Sequence, residues 1–476
     1  MDKGSNGKAI RAGMGYAVAN ILAKGITFIS LPVFARLLSV GDYGVFSTYA
    51  SYVGIFTIIV GLALHTSIKN AKSDLKEKVY EYCSSITLLI WFTMLASLIA
   101  ACFFSQVFAR WLMLEKPVIV VFIVIESFAG AMINFFNEYL AIEYKYREYL
   151  AVSLAYAIGN VGLSLLFILL FFRFEGYMGR ILGTTLAGVL ICVYFFFRIY
   201  RRSKPKANPG FWKYGLKISI PIIPHGLSQI VLAQFDRIMI KHIYGNLEAG
   251  MYSFAYNVGM IFQVITNSLD TAWNQWFFDR MDEKEYGIIR RASSVYVIAV
   301  SAGAALLMLI SPEIITVLGG SKYAPARHVA IPIVLAMFYS FMYNQPSAVE
   351  YYYKKTHFIA IGTVSAAVLN IILNAVFIPK YGYVAAAYTT VVCYLVYYML
   401  HLILAWKVHG SMIHSIAVHL GCVGAVTVCM LAFTLLTNRI WIRMGILAAG
   451  IICMAVLALK YKNELTELVK NLKERS

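Results

Sequence analysis

Residues 117–142, PVIVVFIVIESFAGAMINFFNEYLAI, decide the class of fold. A helix needs about 20 mostly apolar residues to cross roughly 30 Å of hydrocarbon, and this stretch exceeds that length without a lysine or an arginine. A helix also satisfies its own backbone hydrogen bonds in lipid. We therefore predict a transmembrane helix here, and similar stretches recur along the chain.

The composition of the whole chain agrees with this interpretation. Of its 476 residues, 60% are hydrophobic and 13% are charged, whereas a soluble domain is about 45–50% apolar and about 25% charged. The net charge is +18, but the basic residues lie in short loops between apolar spans, so no nucleic-acid partner is predicted. The seven cysteines are odd in number and form no CxxC pair, so neither a disulfide framework nor a zinc site is predicted.

The length rule predicts an all-α, polytopic membrane protein of about 14 transmembrane helices. The predicted spans are 10–37, 44–68, 80–104, 117–142, 149–172, 178–199, 213–237, 250–277, 289–311, 328–349, 356–379, 383–407, 412–436 and 441–460. With the N-terminus in the cytoplasm, most of the 41 lysines and arginines fall in cytoplasmic segments, as the positive-inside rule requires. Both termini are then cytoplasmic, and the first span is a retained helix rather than a cleaved signal. The tail 461–476 is expected to be a short amphipathic surface helix, with a solvated, structureless end as the alternative.

An internal repeat divides the chain. ARLLSVGDYGVFSTYASYVGIF follows the first helix and FDRIMIKHIYGNLEAGMYSFAYNVGMIF follows the seventh, which aligns Arg36 with Arg237 and Gly44 with Gly250. An even number of spans separates the two copies, so the repeat is parallel, with its axis along the membrane normal. Chance similarity of two apolar stretches is the alternative. The repeat predicts two six-helix lobes and two further C-terminal helices, with bounds 1–202, 203–408 and 409–476.

Polar side chains recur at helical spacing within six of the predicted spans. A charge in mid-membrane costs about 2.5–3.5 kcal/mol on insertion scales, so it normally faces a cavity or a partner. Besides the residues named below, these stripes contain Thr27, Asn134, Asn137, Ser153, Asn160, Ser164, His225, Gln229, Asn370 and Asn374. They predict a water-filled central cavity, with amides that hold helices together as the alternative. The predicted substrate-binding residues are Asn20, Lys24, Arg36, Arg237, Gln263, Asn267, Asp270 and Asn274.

Three carboxylates within the spans, Glu126, Asp236 and Asp270, are candidates for coupling transport to an ion gradient. A structural pairing of Asp236 with Arg237 at the outer edge of helix 7 is the alternative for that residue. The chain has no GxxxxGK[ST], HExxH or GxSxG motif and no long loop. No catalytic residue, cofactor or metal is therefore predicted, and an enzyme is not expected.

Three segments carry a resemblance to a known family. They are LPVFARLLSVGDYGVFSTY (31–49), FDRIMIKHIYGNLEAGMYSFAY (235–256) and NIILNAVFIPKYGYVAAAYTT (370–390). In this order and spacing they resemble bacterial polysaccharide flippases of the O-antigen type, which belong to the multidrug/oligosaccharidyl-lipid/polysaccharide exporter superfamily. The resemblance covers essentially the whole chain. It implies two six-helix lobes around a V-shaped cavity and a location in the bacterial cytoplasmic (inner) membrane.

The resemblance also implies a function. The expected substrate is an undecaprenyl-pyrophosphate-linked oligosaccharide, moved between leaflets by alternating access for the synthesis of O-antigen (lipopolysaccharide), capsule or exopolysaccharide. Membrane lipid, a polysaccharide polymerase and a chain-length regulator are the expected partners. Lys24, with Arg237, is expected to hold the pyrophosphate, and the amides of helix 8 to meet the sugars. The alternatives are an ion-coupled multidrug exporter, a lipid II flippase of the same superfamily, a polysaccharide polymerase or ligase, and a structural scaffold.

Overall fold

The computed structural model describes residues 3–460, and within them the side chains of residues 15–450 except residue 17. This described part is helical and contains no strand. The predicted surface helix at 461–476 lies outside the described residues. The long helices are α1 (Lys3–Leu37), α2 (Val40–Gly61), α3 (Val79–Phe103), α4 (Val118–Ile142), α5 (Tyr146–Leu170), α6 (Gly176–Tyr200), α7 (Ile223–Tyr244), α8 (Asn246–Asp282), α9 (Tyr286–Gly319), α10 (Arg327–Tyr352), α11 (Thr356–Tyr381), α12 (Ala385–His409), α13 (Ile416–Leu435) and α14 (Ile440–Lys460).

The described helices confirm an all-α, multi-pass membrane protein. Twelve segments are long and apolar enough to cross a bilayer. The two long helices outside that set are α8, which carries the polar row predicted from the sequence, and α14, whose side chains are described only as far as residue 450. Together they make the 14 helices that the sequence predicts.

The seventh predicted span, 213–237, differs most from the structure. It is split into an amphipathic helix, Pro209–Ser219, and α7, with a short 3₁₀ turn between them. Pro221 and Pro224 cause the break, because proline has no amide hydrogen to donate and its ring clashes with the preceding turn. Since α7 continues to Tyr244, Asp236 and Arg237 lie inside the helix rather than at its edge.

The second predicted span, 44–68, also ends early. Leu62 and Ala63 adopt left-handed backbone conformations with φ of 47° and 49°, and such a conformation is unfavourable for a residue with a Cβ atom. The helix α2 therefore stops at Gly61, and a 3₁₀ turn followed by the short helix Ile68–Leu75 leads to α3.

The two lobes repeat one packing scheme. In the first lobe α1 packs on α5, α2 on α4, α4 on α6 and α5 on α6. In the second lobe the equivalent pairs are α7 on α11, α8 on α10, α10 on α12 and α11 on α12. The last two helices pack on the second lobe, α13 on α9 and α10, and α14 on α9. Two pseudo-symmetric six-helix lobes plus two C-terminal helices are thus confirmed.

The lobes meet where α2 crosses α8. Gly44 lies against the backbone of Asn246 and Gly250, and Gly250 in turn lies against the backbone carbonyl of Val40. This contact is reciprocal, which supports the alignment of Gly44 with Gly250, and a Cβ atom on either glycine would collide with backbone. The alignment of Arg36 with Arg237 does not hold, since Arg36 is next to the last residue of α1 whereas Arg237 is about two turns before the end of α7.

Candidate functional site

A first cavity, of about 250 Å³, lies inside the first lobe among α1, α4, α5 and α6. Lys24 lines it from the middle of α1, and no described carboxylate forms an ion pair with the Lys24 ammonium group. Arg180 is a second cation on this wall. Most of the other polar residues are amides and hydroxyls, among them Asn20, Asn137, Tyr149, Ser153, Tyr156 and Asn160. The cavity therefore offers many neutral hydrogen-bonding groups around two cations.

A second cavity, of about 330 Å³, lies between the lobes among α1, α2, α7 and α8. Arg237 and Gln263 line it from the second lobe. Thr27, Ser30 and Arg180 line both cavities, so the two spaces share one wall. The aromatic part of the second wall is formed by Phe34, Tyr43, Phe46 and Tyr256.

Arg180, on α6, is 8% exposed and has no described carboxylate partner. Its guanidinium carbon lies 3.7 Å from the ring centroid of Phe34 and 4.9 Å from that of Phe46. Its Nη1 atom has no hydrogen-bond acceptor in the part of the chain that the structure describes. A desolvated cation–π contact contributes about 2 kcal/mol, which holds the guanidinium in place. The carboxylate of Glu126 interacts with this charge only from beyond ion-pair distance.

Arg237, on α7, is also 8% exposed. Its guanidinium lies 4.4 Å from the ring centroid of Tyr256, and its Nη1 donates to the carbonyl oxygen of Ala233 at 3.2 Å. Arg237 and Asp236 form no direct ion pair in the described structure, because that carboxylate accepts its hydrogen bonds from neutral groups and the two charges interact only at longer range. Arg237 is thus a second buried cation without a described carboxylate partner.

Arg180 and Arg237 determine which ligands the second cavity can bind. A buried charge without a partner is strongly unfavourable, and a bound anion relieves that penalty. The planar guanidinium fork matches phosphate oxygens, with two parallel hydrogen bonds. The arrangement is suited to an anion with more than one phosphate group.

The three candidate coupling carboxylates are each held by neutral donors. Asp236 is 1% exposed and accepts from the hydroxyl groups of Tyr252 (2.5 Å) and Thr390 (2.8 Å) and from Nδ2 of Asn374 (2.6 Å). These donors come from α8, α11 and α12. The predicted stripe on α11 is part of this network, since Asn374 also donates to Asn370 at 3.1 Å.

Glu126 occupies a comparable place in the first lobe. Its Oε2 accepts from the hydroxyl groups of Tyr49 at 2.6 Å, Thr184 at 2.8 Å and Thr185 at 3.0 Å. Each lobe therefore holds a carboxylate between a tyrosine of its second helix and threonine of its sixth helix. The carboxylate comes from α4 in the first lobe and from α7 in the second.

The polar row on α8 is not a single cavity wall. Gln263 lines the second cavity, but Asn267 is exposed, Asn274 is half-buried, and neither lines these two cavities. Asp270 turns into the second lobe, where it accepts from Tyr296 at 3.0 Å and Asn344 at 2.8 Å. A carboxylate needs such donors when it leaves water, and α9 and α10 supply them. The expectation that all four residues line one cavity is corrected accordingly.

Arg36 lies outside both cavities. Its Nη2 donates to the carbonyl oxygen of Val317 at 3.3 Å, because its position at the end of α1 brings the side chain to α9. At the same end of the lobes, Lys322 donates to the carbonyl oxygen of Leu38 at 2.6 Å, and Lys241 pairs with Glu115 at 2.8 Å. Arg36 thus belongs to a set of contacts that joins the lobes at one end of the bundle.

Arg180 is the main residue that the sequence interpretation missed. It lies near the start of the sixth predicted span, 178–199, where an arginine is easily taken for a loop charge. The signal that could have found it is an arginine inside an apolar span with no acidic residue one helical turn away. The structure brings it to the two cavities that hold Lys24 and Arg237.

Comparison with known proteins gives a consistent result. A family model described as "Polysaccharide biosynthesis protein" matches residues 11–281. The Haemophilus influenzae protein "Lsg locus putative protein 1" is 20% identical over 378 residues, which cover 75% of this chain and 88% of that protein. An "Uncharacterized membrane protein" of the same organism is 22% identical over 282 residues, covering 56% of this chain and 65% of that protein.

Solved structures of two kinds share the fold. The "Lipid II flippase MurJ, inward closed conformation" aligns with a TM-score of 0.69 at 15% identity, covering 94% of this chain and 99% of that one. An inward-facing multidrug resistance transporter of the MATE family and MOP superfamily aligns with a TM-score of 0.61 at 14% identity, covering 83% of this chain and 99% of that one. At these identities the likeness concerns the fold.

Proposed function

The chain belongs to the polysaccharide biosynthesis protein family, and we propose that it is a flippase for undecaprenyl-pyrophosphate-linked oligosaccharides in the bacterial cytoplasmic membrane. It moves the head group of its substrate from the inner to the outer leaflet while the lipid tail stays in the bilayer. The product then supplies the synthesis of a surface polysaccharide by a polymerase and a chain-length regulator.

The observation that carries this proposal is the pair of buried guanidiniums, Arg180 and Arg237. Both line the cavity between the lobes, both stack on aromatic rings, and neither has a described carboxylate partner. A pyrophosphate esterified at both ends carries about two negative charges, since each phosphate keeps one acidic oxygen. Two fixed guanidiniums balance that charge, and each can bind phosphate oxygens with two hydrogen bonds.

The first cavity is suited to the sugars. Its amides and hydroxyls can donate to and accept from sugar hydroxyls, and Tyr149 and Tyr156 supply ring surfaces. Arg180 lines both cavities, so a pyrophosphate bound there has its sugars beside Asn20, Asn137 and Asn160. In this arrangement Lys24 contacts the sugars of the head group. The sequence analysis assigned the pyrophosphate to Lys24 and Arg237, and we now propose Arg180 in place of Lys24.

Alternating access follows from the parallel repeat. The crossing of Gly44 and Gly250 and the Lys241–Glu115 pair join the lobes at the end that the charge pattern places outside the cell. We therefore assign the described structure to the cytoplasm-facing state of the proposed topology, in which both termini are cytoplasmic. Opening the other end requires these contacts to separate. Glu126, Asp236 and Asp270 are held by neutral donors and remain the proposed groups for ion coupling.

A multidrug exporter of cations fits the site less well. Lys24, Arg180 and Arg237 line the two cavities and repel a cationic drug, and among the residues whose side chains are described no Asp or Glu lines either cavity. A lipid II flippase would also carry a pyrophosphate, so the arginines do not separate it from the proposed function. The substrate test below includes it for that reason.

The experiment is translocation in proteoliposomes that contain the full-length protein. Three substrates are compared: an undecaprenyl-pyrophosphate-linked oligosaccharide repeat unit, lipid II, and a lipophilic cationic drug. We expect the repeat unit to cross several times faster than in protein-free vesicles, and R180A to stop it. Transport of the cationic drug alone would contradict the proposal, and preference for lipid II would reassign the substrate.

A further inference from the structure

Glu350 of α10 and His401 of α12 form a buried pair that the proposed transport cycle does not yet use. Both side chains are 0% exposed, and Nδ1 of the histidine lies 2.7 Å from Oε1 of the glutamate. The other polar atoms of the pair, Oε2 and Nε2, have no hydrogen-bond partner in the described part of the chain. Buried polar atoms are rarely left without a partner, so this pair calls for an explanation.

The groups around the pair carry no fixed counter-charge. From α10, the ring of Tyr343 lies 5.8 Å from that of His401, and from α12 the ring of Tyr397 lies 4.6 Å away. From α11, Gly362 lies against Nε2 of the histidine. Among the described residues no lysine, arginine or second carboxylate forms an ion pair with either member. The other titratable groups at this end of the neighbouring elements include Tyr351, Tyr352, Tyr353, Lys354, Lys355, His357, Tyr398, Lys407, His409, His414 and His419.

The number of protons on the pair decides its charge. With one proton the pair is neutral in sum, either as a carboxylic acid beside a neutral imidazole or as a carboxylate beside an imidazolium. Without that proton a carboxylate is buried with no cation, and with a second proton an imidazolium is buried with no anion. Since an uncompensated buried charge is strongly unfavourable, a change in the number of protons on the pair changes the stability of the packed lobe.

We propose that Glu350 and His401 are the proton-binding site through which a proton gradient drives transport. The proton leaves the pair for a water molecule when the second lobe repacks, and the pair then consists of a carboxylate and a neutral imidazole. The proton returns from water on the other side of the membrane before the lobe closes again. One proton is exchanged for each substrate moved.

Polar groups near the C-terminal ends of α10 and α12, where the pair lies, give the proton a route. Gln345 is 0% exposed, and neither its amide nitrogen nor its side-chain oxygen has a partner among the described residues. Nε2 of His414 lies 3.3 Å from the backbone oxygen of Gln345, and its ring lies 5.2 Å from that of His419. Buried groups of this kind are commonly bridged by ordered water molecules. Five of the nine histidines lie at this end, namely His357, His401, His409, His414 and His419.

The first part of the test is an infrared titration of the full-length protein in lipid, with the proton itself as the ligand. We expect a carboxylic-acid carbonyl band that is lost in E350Q and shifted in H401Q. E313Q is the matched control, because Glu313 is partly exposed and paired with Arg443, and it should keep the band. Identical titrations of wild type and E350Q would overturn the proposal. The exchanged variant E350H/H401E keeps both groups, so the band should return in it even if a single variant folds poorly.

The second part measures coupling, and it rests on the proposed function. For one proton per substrate, a pH difference of one unit supports about a tenfold excess of the lipid-linked oligosaccharide in one leaflet. We expect wild type to build this excess, and E350Q and H401Q to equilibrate the leaflets without it. An even distribution in wild type would overturn the coupling while leaving the flippase intact. No movement at any pH would instead refute the proposed function, and the infrared band would then decide alone whether the pair holds a proton.

Discussion

The two lobes share one arrangement of helices but differ in what they bury. The first lobe contains an amide-lined cavity with Lys24 and Arg180 on its wall. The second lobe is packed around α10: in the most apolar part of the span Ser321–Tyr352, 83% of residues are buried, against 56% in the equivalent part of Val118–Ile142. Its interior holds three carboxylates, at Asp236, Asp270 and Glu350, whereas the cation Arg237 lies on the cavity wall that faces the first lobe.

This difference indicates that the two lobes have different functions. Free cations beside a cavity bind an anionic substrate, whereas carboxylates in a dry interior can bind ions only when the lobe opens. The two lobes share one packing of their helices, but their buried side chains differ. Substitutions of the cations on the cavity walls, which include Arg237 of the second lobe, should therefore change substrate binding. Substitutions of the buried carboxylates should change stability and coupling.

The largest expected effect is the loss of transport in R180A and R237A. Each charge-assisted hydrogen bond to a phosphate contributes about 1.5–3 kcal/mol, so each variant should bind the pyrophosphate at least about tenfold more weakly. Polysaccharide export by cells carrying the variants measures the effect. R173A is the control, since that arginine is exposed at the end of α5 and donates only to a backbone carbonyl. Normal export in both variants would contradict the assignment of the second cavity as the pyrophosphate site.

The next largest expected effect is a difference in thermal stability between two variants, one in each lobe. D236N should lower the thermal stability of the purified protein, because the amide nitrogen of asparagine replaces an oxygen that accepts one or two of the three hydrogen bonds, and each one left unmade costs about 1–3 kcal/mol. K24Q should leave stability unchanged and reduce export, since no described ion pair is lost. If K24Q were the less stable of the two variants, the division between the lobes would be wrong.

A smaller effect is expected where the lobes meet. G44V places a side chain against the backbone of Asn246 and should favour the state in which that end is open. A cysteine at Asn257, in a cysteine-free background, would then react faster with a membrane-impermeant reagent added from outside. G421V on α13 is the matched control, because nothing lies within 4 Å of a Cβ atom there. Equal reactivity in G44V and G421V would show that the crossing is not a gate.

The smallest effect is expected for E115Q. The Lys241–Glu115 pair is partly buried at 2.8 Å, with side-chain exposures of 4% and 23%, and a single pair of this kind contributes about 1 kcal/mol or less when one partner is near the surface. The same reactivity assay should show a few-fold increase, below that of G44V. An effect larger than that of G44V would make the ion pair, rather than the glycine crossing, the main contact at this end.

The sequence was sufficient for the membrane fold and for its repeat. Apolar length alone predicts the helices, because lipid imposes one rule on every span. It predicted one span over 213–237 and not the break into two helices, since both a continuous helix and a separate surface helix satisfy the pattern around Pro221 and Pro224. In the site, helical spacing placed Asp270 on the face of Gln263, but spacing gives no information on which neighbour supplies hydrogen-bond donors.

The same limit explains the other differences. Arg180 was not predicted as a site residue, because its position within the membrane depends on where α6 begins. Arg36 was wrongly predicted to line the cavity, because the orientation of its side chain depends on where α1 ends. Both questions concern the ends of helices, which are the least certain part of any prediction from sequence. The Glu350–His401 pair joins two helices that are distant in the chain, so no local pattern reveals it.

The account depends most on the pyrophosphate site formed by Arg180 and Arg237. The direct test compares binding of undecaprenyl pyrophosphate and undecaprenyl monophosphate to the purified full-length protein and to R180A/R237A. We predict that the wild type binds the pyrophosphate at least about tenfold more tightly than the monophosphate and that the double variant loses this preference. Equal affinity of the wild type for both lipids, or an unchanged preference in the double variant, would contradict the account.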